Sequence, residues 1–218
     1  MSATQHPDLT PIKPSFTPPS SSSSEEEESP SVSFTIKVLS LAQHIEGGYY
    51  AVTHVNPTTI PSPYPQSPLS QRTIDLVGGL APDFDPAVRR LSTTIYYFLT
   101  PNRPLGSFHR NRSRIIHTLH SGRGRYVLIH PDGRIESFVV GPNIQKGEKL
   151  QWVVEGGSWK ASFLLPDVEG ETSSDGLLIS ETVVPGFEYA DHEFLSRERL
   201  SEILPEEKAK ALEWLVKH

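Results

Sequence analysis

The residues best suited to chemistry lie within residues 107–122, a polar stretch that contains three histidines. In a strand, side chains two positions apart point to the same face, so Ser107, His109 and Asn111 share one face. An imidazole exchanges its proton near neutral pH, which makes histidine a common group for acid–base catalysis. The stretch therefore predicts proton transfer, with His109 and His117 as candidate catalytic residues.

Three further residues could complete such a site. A lysine removed from water can have its pKa lowered, so Lys160 could exchange a proton. Tyr96 or Tyr126 could supply the complementary acid. The alternative is a purely structural role, in which His109 hydrogen-bonds within a polar pocket and His117 fills the interior or contacts a ligand.

Composition limits how much of the chain can pack. Only 36% of the 218 residues are hydrophobic, which is low for a compact domain. Residues 1–33 contain six prolines, a run of five serines and four consecutive glutamates. Such a segment buries too little apolar surface to offset its ordering entropy. We therefore predict a disordered tail over residues 1–33 and one folded domain over residues 34–218.

The tail also carries most of the charge. It holds one Asp, four Glu and one Lys, a net charge of −4 out of −6 for the whole chain. The folded part therefore has no strong positive charge of the kind that predicts nucleic-acid binding. The chain has no cysteine, no apolar run near the ~20 residues of a membrane span and no secretory pattern at its start. We expect a cytoplasmic or nuclear protein with no nucleic-acid or membrane partner.

Most of the domain has the pattern of short strands. Segments rich in β-branched and aromatic residues alternate with Gly, Pro and Asp turns, as in an antiparallel sandwich or barrel. The Pro-Asp-Gly sequence at residues 131–133 marks a hairpin. The predicted strands cover residues 49–55, 91–100, 114–119, 125–130, 134–140, 149–154, 158–165 and 177–184.

The remaining segments predict helices and one long loop. Residues 34–41 fit a helix or a strand, and we favour a helix that leads into the domain. Residues 56–88 predict a surface loop, because residues 56–68 alone contain five prolines, which central strands exclude. Residues 205–216 begin with proline and carry a narrow apolar stripe, so they predict an amphipathic helix packed on the barrel.

The histidine stretch resembles the first motif of the cupin superfamily, which reads His-x-His, three or four residues, Glu, six residues, Gly. Other segments resemble the type-5 branch of that superfamily, and fungal members most of all. These segments are residues 44–49 (His-Ile-Glu-Gly-Gly-Tyr), 107–109 (Ser-Phe-His), 151–154 with 157–161, and 184–187. The resemblance implies an all-β double-stranded β-helix, the cupin jelly-roll barrel, with short flanking helices that include a C-terminal one.

The resemblance also implies where a metal would bind, and the chain departs from that pattern. A cupin metal is held by three imidazoles and one carboxylate, a set suited to Fe, Mn, Zn or Ni. His109 takes the first ligand position, but Asn111 and Ile115 stand at the next two and Lys160 at the fourth. A protonated lysine cannot coordinate a metal. We therefore expect no metal or other cofactor.

With the register that the resemblance implies, the face of His109 lies inside the barrel and defines a ligand pocket. Glu46 belongs to the His-x-Glu-Gly-Gly segment, where Gly47 and Gly48 fit a tight turn or a close backbone approach. Its carboxylate can line the pocket or cap that turn. Arg90 precedes a predicted strand and can reach the barrel mouth. The candidate ligand-binding residues are Glu46, Arg90, Tyr96, Ser107, Asn111 and Lys160.

Three functions are compatible with these residues. The first is a metal-independent cupin that binds a small polar ligand, such as a sugar or keto compound, and isomerises or epimerises it. The second is a binding or storage module without catalysis. The third is a dioxygenase or isomerase with an unorthodox metal site. Fold alone does not choose among them.

We also expect a homodimer. Jelly-roll barrels leave sheet edges that need to be covered, and relatives of this type pair strands or sheets between two subunits. A two-fold dimer is the commonest closed oligomer. Residues 34–55 and the loop at residues 56–68 are the expected contact surfaces.

Overall fold

The computed structural model describes residues 12–17 and 27–217. Within them the chain forms antiparallel sheets with a few short helices. The strands are β1 Ala42–Gln43, β2 Tyr49–Val55, β3 Thr59–Pro61, β4 Val88–Arg90, β5 Thr93–Leu99, β6 Leu105–Asn111, β7 Arg114–Ser121, β8 Gly124–Ile129, β9 Ile135–Val140, β10 Gln151–Val154, β11 Trp159–Leu164, β12 Leu177–Val184 and β13 His192–Phe194. The helices are α1 Pro30–Val38, α2 Gln71–Leu76, α3 Arg197–Ile203 and α4 Glu206–Leu212, with 3-10 turns at Ile144–Lys146, Tyr189–Asp191 and Glu213–Leu215.

Two large sheets form the walls of the barrel. One has the strand order β1-β2-β5-β12-β7-β10, and the other has the order β13-β6-β11-β8-β9. Their strands pair antiparallel throughout these two orders. The sequence prediction of an all-β barrel with short flanking helices is confirmed.

The core is divided by these sheets into an inner and two outer layers. The inner layer joins side chains of both sheets, such as Leu128 and Ile179. The outer face of the five-stranded sheet is covered by the C-terminal helices, where Leu212 packs with Phe163. On the other sheet, α1 buries Val32 against Phe98. Both outer faces of the barrel are therefore covered by helices.

The predicted strands agree closely with the observed ones, whereas the short elements differ. The hairpin at residues 131–133 joins β8 to β9 as predicted. The loop predicted at residues 56–88 contains β3 and α2, and α3 precedes the predicted C-terminal helix. These short elements carry too few apolar residues for the repeating apolar pattern of a helix or a strand to be recognised in the sequence.

The start of the domain lies close to the predicted boundary at residue 34. Helix α1 begins at Pro30, and Ser29 caps it by accepting a hydrogen bond from the backbone of Val32. Ile12 and Phe16 are half-buried and pack against core residues. The rest of the predicted disordered tail, residues 1–11 and 18–26, lies outside the described residues. Among the described helices, none has the length and apolar character needed to cross a membrane.

Candidate functional site

Glu46 reaches the barrel interior because the two glycines after it let the chain turn tightly against β6. Gly47 has φ +112°, and a Cβ on it would lie 1.9 Å from the carbonyl oxygen of Leu105. Only glycine fits there without strain. The carbonyl of Glu46 accepts a hydrogen bond from the backbone of Ser107 at 2.8 Å. The close backbone approach predicted for these glycines is confirmed.

Glu46 meets three histidines, and we call these four residues the Glu46 cluster. Its Oε1 lies 3.0 Å from Nε2 of His192 and 3.2 Å from Nε2 of His109. Its Oε2 lies 3.5 Å from Nδ1 of His44. The rings of His109 and His192 stack with centroids 5.2 Å apart. Strand pairing explains this, because β13 runs beside β6 and brings His192 next to the predicted first ligand position.

His109 holds an open lone pair toward the Glu46 carboxylate. Its Nδ1 lies 2.8 Å from the carbonyl oxygen of Ser107, and a carbonyl only accepts, so Nδ1 carries the proton. In the neutral ring, Nε2 then has a lone pair, and it makes no hydrogen bond within the described structure. Two electron-rich atoms thus face each other at 3.2 Å. Such a position favours the uptake of a proton or a cation.

Burial sets the charge state of this cluster. It lowers the pKa of His109 to about 3, against the opposite pull of the Glu46 carboxylate. Burial also lowers the pKa of His44. For Glu46, burial acts to raise the pKa, but the three surrounding histidines, including the hydrogen bond from His192, outweigh burial and hold the pKa well below its usual range. At neutral pH the Glu46 carboxylate is therefore charged, and the rings of His109 and His44 are neutral.

A second buried group, the Lys160 cluster, consists of Lys160, His117 and Glu181. The Lys160 Nζ lies 2.7 Å from Oε2 of Glu181 and 3.1 Å from Nε2 of His117. The His117 ring stacks on Trp152 with centroids 5.1 Å apart. Burial lowers the pKa of His117, while for Glu181 the Lys160 charge overcomes burial and lowers the pKa strongly.

A cavity of about 310 Å³ opens onto these clusters. Glu46 and His44 line it from the first cluster, and Glu181 lines it from the second. A narrow recess continues inward past Glu46 and Glu181 to His109 and Lys160. The two carboxylates therefore stand between the open cavity and the deeper groups.

Most of the predicted site residues lie at one of three depths: in the open cavity, in the inner recess or behind it. Glu46, Arg90 and Asn111 line the open cavity, as does Ile115. The inner recess is lined by three more predicted residues, namely His109, Lys160 and Tyr126. His117 lies behind the recess with no exposed surface. Burial raises the pKa of Tyr126 well above 10, so this phenol keeps its proton at neutral pH.

Ser107 and Tyr96 lie elsewhere. The pairing of β6 with β11 shifts register between Gly106 and His109, so three residue steps on β6 face two on β11. This bulge breaks the predicted alternation, and Ser107 contributes its backbone carbonyl and N–H rather than lining either cavity. Tyr96 packs with the residues under α1 on the outer side of its sheet. Tyr97, one residue later, lines the recess.

Sequence reasoning did not single out Glu181, His192, His44 or Tyr97 as site residues. A signal existed for Glu181, because it alternates with Leu177, Ile179 and Val183 on the buried face of β12. An acid on an apolar face is costly unless it is paired. His192 gives no such signal, since it joins the site through the pairing of a three-residue strand.

The Glu46 cluster has the donors that a divalent metal requires. Ligand atoms of Glu46, His109 and His192 all lie within 4.8 Å of one another. The Nδ1–H of His109 is held by a backbone carbonyl, which is how proteins orient a metal-ligating histidine. Of the four positions that hold the metal in the cupin motifs, only that of His109 has a metal ligand in this chain. The structure adds the carboxylate of Glu46 and the imidazole of His192, which come from other segments. These residues fit a metal, and the expected absence of a cofactor stays a prediction.

Comparisons with known proteins agree with this architecture. The chain is 46% identical over 176 residues to an uncharacterised protein of Saccharomyces cerevisiae, covering 80% of this chain and 81% of that protein. A hypothetical protein from Leishmania major is similar in structure with a TM-score of 0.67 at 24% identity, covering 85% of this chain and 98% of that one. A Shewanella oneidensis protein gives a TM-score of 0.64 at 24% identity, covering 88% and 99%. The family model described as Cupin superfamily (DUF985) matches residues 33–195. The chain therefore belongs to this cupin family.

Proposed function

We propose that this cupin binds a small polar molecule in the barrel and transfers a proton on it, as an isomerase or epimerase without a metal would. The observation that carries the proposal is the open lone pair of His109 beside the Glu46 carboxylate at 3.2 Å. Glu46 lines the cavity, whereas His109 lies behind it. Glu46 is thus the group that meets the ligand.

The proposed reaction moves a proton between the bound molecule and the Glu46 cluster. The Glu46 carboxylate takes a proton from a carbon next to a carbonyl group, and the electron pair of that C–H bond becomes an enolate. The proton is then shared between Glu46 and the Nε2 lone pair of His109. In a hydroxy ketone, return of the proton to the former carbonyl carbon completes an isomerisation when the hydroxyl proton passes to the enolate oxygen. Return of a proton from solvent to the original carbon completes an exchange. Proton transfers of this type contribute roughly 10²- to 10⁴-fold to rate.

His44 can stabilise the enolate oxygen. The backbone N–H of Glu46 donates to Nδ1 of His44 at 3.2 Å, so the proton of the neutral ring is on Nε2. Burial keeps this ring neutral by lowering its pKa. Because His44 lines the cavity, the Nε2–H of its neutral ring can donate a hydrogen bond to a ligand oxygen.

Solvent isotope exchange tests the proposal. A panel of small keto sugars and hydroxy ketones is incubated in D₂O, and NMR follows deuterium entering next to the carbonyl. We expect exchange with the wild type, and a loss of roughly 10²-fold or more in Glu46→Gln. Glu155→Gln is the matched control because Glu155 is exposed and pairs with Arg114 on the surface. The proposal is contradicted if deuterium exchange persists in Glu46→Gln. It is also contradicted if the wild type exchanges deuterium into none of the compounds.

A divalent metal in the Glu46 cluster is the second candidate, favoured by the three ligand atoms within 4.8 Å. Glu46, His109 and His192 would hold the ion. A metal there supplies a Lewis acid that polarises a ligand oxygen. Elemental analysis of the purified protein separates the candidates: about one Fe, Mn or Zn per chain, lost in His192→Gln, favours this metal site.

A binding role without turnover is the remaining alternative. It requires a ligand that is held in the cavity and recovered unchanged. Ligand recovery and isotope exchange are independent measurements, so a bound compound without exchange would identify a binding module and exclude proton transfer on that compound.

A homodimer remains part of the proposal. Several apolar side chains of α1 are exposed, among them Phe34 at 68% and Val38 at 60% of their surface. Burying such side chains between two copies would remove apolar surface from water. Light scattering should give twice the mass of one chain, and a monomer at all concentrations would contradict it.

A further inference from the structure

The open cavity has more negative than positive groups on its wall. Asp83 and Glu188 line it together with Glu46 and Glu181. Glu181 is balanced by Lys160 at 2.7 Å. Within the described chain, the only Arg or Lys side chain of the lining is Arg90, and its guanidinium also donates to the backbone carbonyl of Pro57. Acidic charge at the cavity therefore exceeds what these cations balance.

Asp83 and Glu188 increase this negative charge at the mouth. Burial raises the pKa of the Glu188 carboxyl, and the negative Asp191 and Asp83 act in the same direction, while the positive Arg89 and Arg90 oppose them. Like-charged carboxyls favour a cation between them, because a positive ligand relieves their repulsion. An anionic ligand would add to that repulsion.

Aromatic rings share the wall with the carboxylates. Tyr50, Phe187 and Tyr189 line the cavity, and the rings of Phe187 and Tyr189 meet edge to face with centroids 5.0 Å apart. The face of an aromatic ring attracts an organic cation. Burial raises the pKa of Tyr189, so its ring remains a neutral phenol at physiological pH.

Asn111 independently indicates what the ligand must provide. Its side chain lines the cavity and the residue is only 6% exposed. Its Oδ1 is buried and has no hydrogen-bond partner among the described residues. An acceptor left unpaired away from water is costly. The missing partner is a donor, which an N–H of the ligand supplies.

The rest of the wall is aliphatic. Val52, Ile95 and Val183 line it together with Ile115, and the cavity of about 310 Å³ is within the range of sites for small organic molecules. A fully hydrated inorganic cation would make no apolar contact with this aliphatic surface. The wall therefore suits a molecule with an apolar body and one charged, donating end.

We propose that the ligand of this cavity is an organic ammonium compound, in which a protonated amine contacts Asp83, Glu188 and Asn111 and an apolar body lies against the aliphatic wall. The inference rests on the proposed function in taking the barrel cavity as the ligand site. It makes the amine the recognised group and disfavours phosphorylated compounds and sugar nucleotides. Any carbonyl group of such a ligand lies toward Glu46.

Three matched probes test the charge preference by calorimetry at neutral pH: 2-phenylethylamine, which is protonated, 2-phenylethanol, which is neutral, and phenylacetate, which is an anion. We expect the amine to bind about tenfold or more tightly than the alcohol, a difference that contacts of the cation with carboxylates and aromatic rings can supply. Phenylacetate should bind most weakly. Equal or tighter binding of phenylacetate, or no measurable binding of any probe, overturns the proposal.

A charge-removing variant isolates the cause. The double variant Asp83→Asn with Glu188→Gln should bring amine affinity close to that of the alcohol and leave alcohol affinity unchanged. Glu155→Gln should change neither, because Glu155 lies on the surface with Arg114. An amine affinity that survives the double variant overturns the assignment. Probe binding is measured without turnover, so this result and the isotope-exchange result can fail separately.

Discussion

The two charged clusters inside the barrel use similar side chains but balance their charge differently. In the Lys160 cluster, an ammonium lies 2.7 Å from the Glu181 carboxylate. In the Glu46 cluster, the neutral rings of His109 and His44 lie beside the carboxylate, and His109 presents a lone pair to it. The first cluster is a completed ion pair, and the second is open to a proton or a cation. Charge balance, rather than residue type, thus distinguishes the two clusters.

The largest expected effect is on the completed ion pair. Lys160→Met keeps much of the side-chain volume but leaves the buried Glu181 carboxylate without its cation. Removing one partner of a buried ion pair costs roughly 3–5 kcal/mol. We expect the free energy of unfolding, measured with a chemical denaturant, to fall by about that amount.

A double variant checks the cause of this loss. In Lys160→Met with Glu181→Gln no unpaired charge remains, so most of the lost stability should return. Glu46→Gln should cost less than Lys160→Met, because Glu46 lies beside the neutral rings of His109 and His44 rather than beside a buried ammonium. If Lys160→Met leaves stability unchanged, the two clusters do not differ as described.

Sequence patterns predicted the sheet strands well because period-2 alternation reports burial directly. The same rule failed locally on β6, where a bulge shifts the register between Gly106 and His109. A bulge adds one residue without a characteristic sequence signal. β5 posed a different problem: both of its faces are covered, so the Tyr96–Tyr97 pair shows no alternation that could identify the inner one.

Motif positions described the candidate site only in part. They placed His109 and Lys160 in the interior, but they treated both as parts of one depleted metal site. The structure separates them into two clusters by adding Glu46 and His192 to one and Glu181 to the other. These partners come from segments far apart in the chain, and only strand pairing brings them together.

The next effect concerns how His109 makes the stability of the protein depend on pH. His109 has a pKa of about 3 in the folded protein and about 6.5 in the unfolded chain. Between these values the unfolded state binds more protons, so stability is complete above about pH 6.5 and falls as the pH decreases. From pH 7 to pH 5 this one group removes about 2 kcal/mol.

The variant His109→Gln isolates that contribution. Its unfolding free energy should fall less steeply between pH 7 and pH 5 than that of the wild type, by about 2 kcal/mol. His54→Gln is the control, because His54 is exposed and should leave the slope unchanged. Parallel pH dependence of His109→Gln and the wild type would show that His109 is not held neutral by burial.

The smallest effect concerns Thr73, which joins the Glu46 cluster through His192. Its Oγ1 lies 3.3 Å from Nδ1 of His192, while the other ring nitrogen lies 3.0 Å from Oε1 of Glu46. Without a metal, Nε2 must carry the proton that the carboxylate accepts, and Nδ1 accepts from Thr73. Thr73→Val removes one buried hydrogen bond and should cost about 1 kcal/mol.

The proton position on His192 can be read by nitrogen NMR, and it sharpens the comparison further. In the metal-free protein the Nε2–H form should persist in Thr73→Val, because Glu46 still accepts that proton. If a divalent metal binds the Glu46 cluster, Nε2 must lose its proton, and Nδ1–H should donate to Thr73 instead. Adding Zn²⁺ should then invert the tautomer in the wild type, while the signals of His117 remain unchanged because Lys160 already supplies the cation there. An unchanged His192 tautomer under saturating Zn²⁺ would exclude a metal bound to Nε2 of His192.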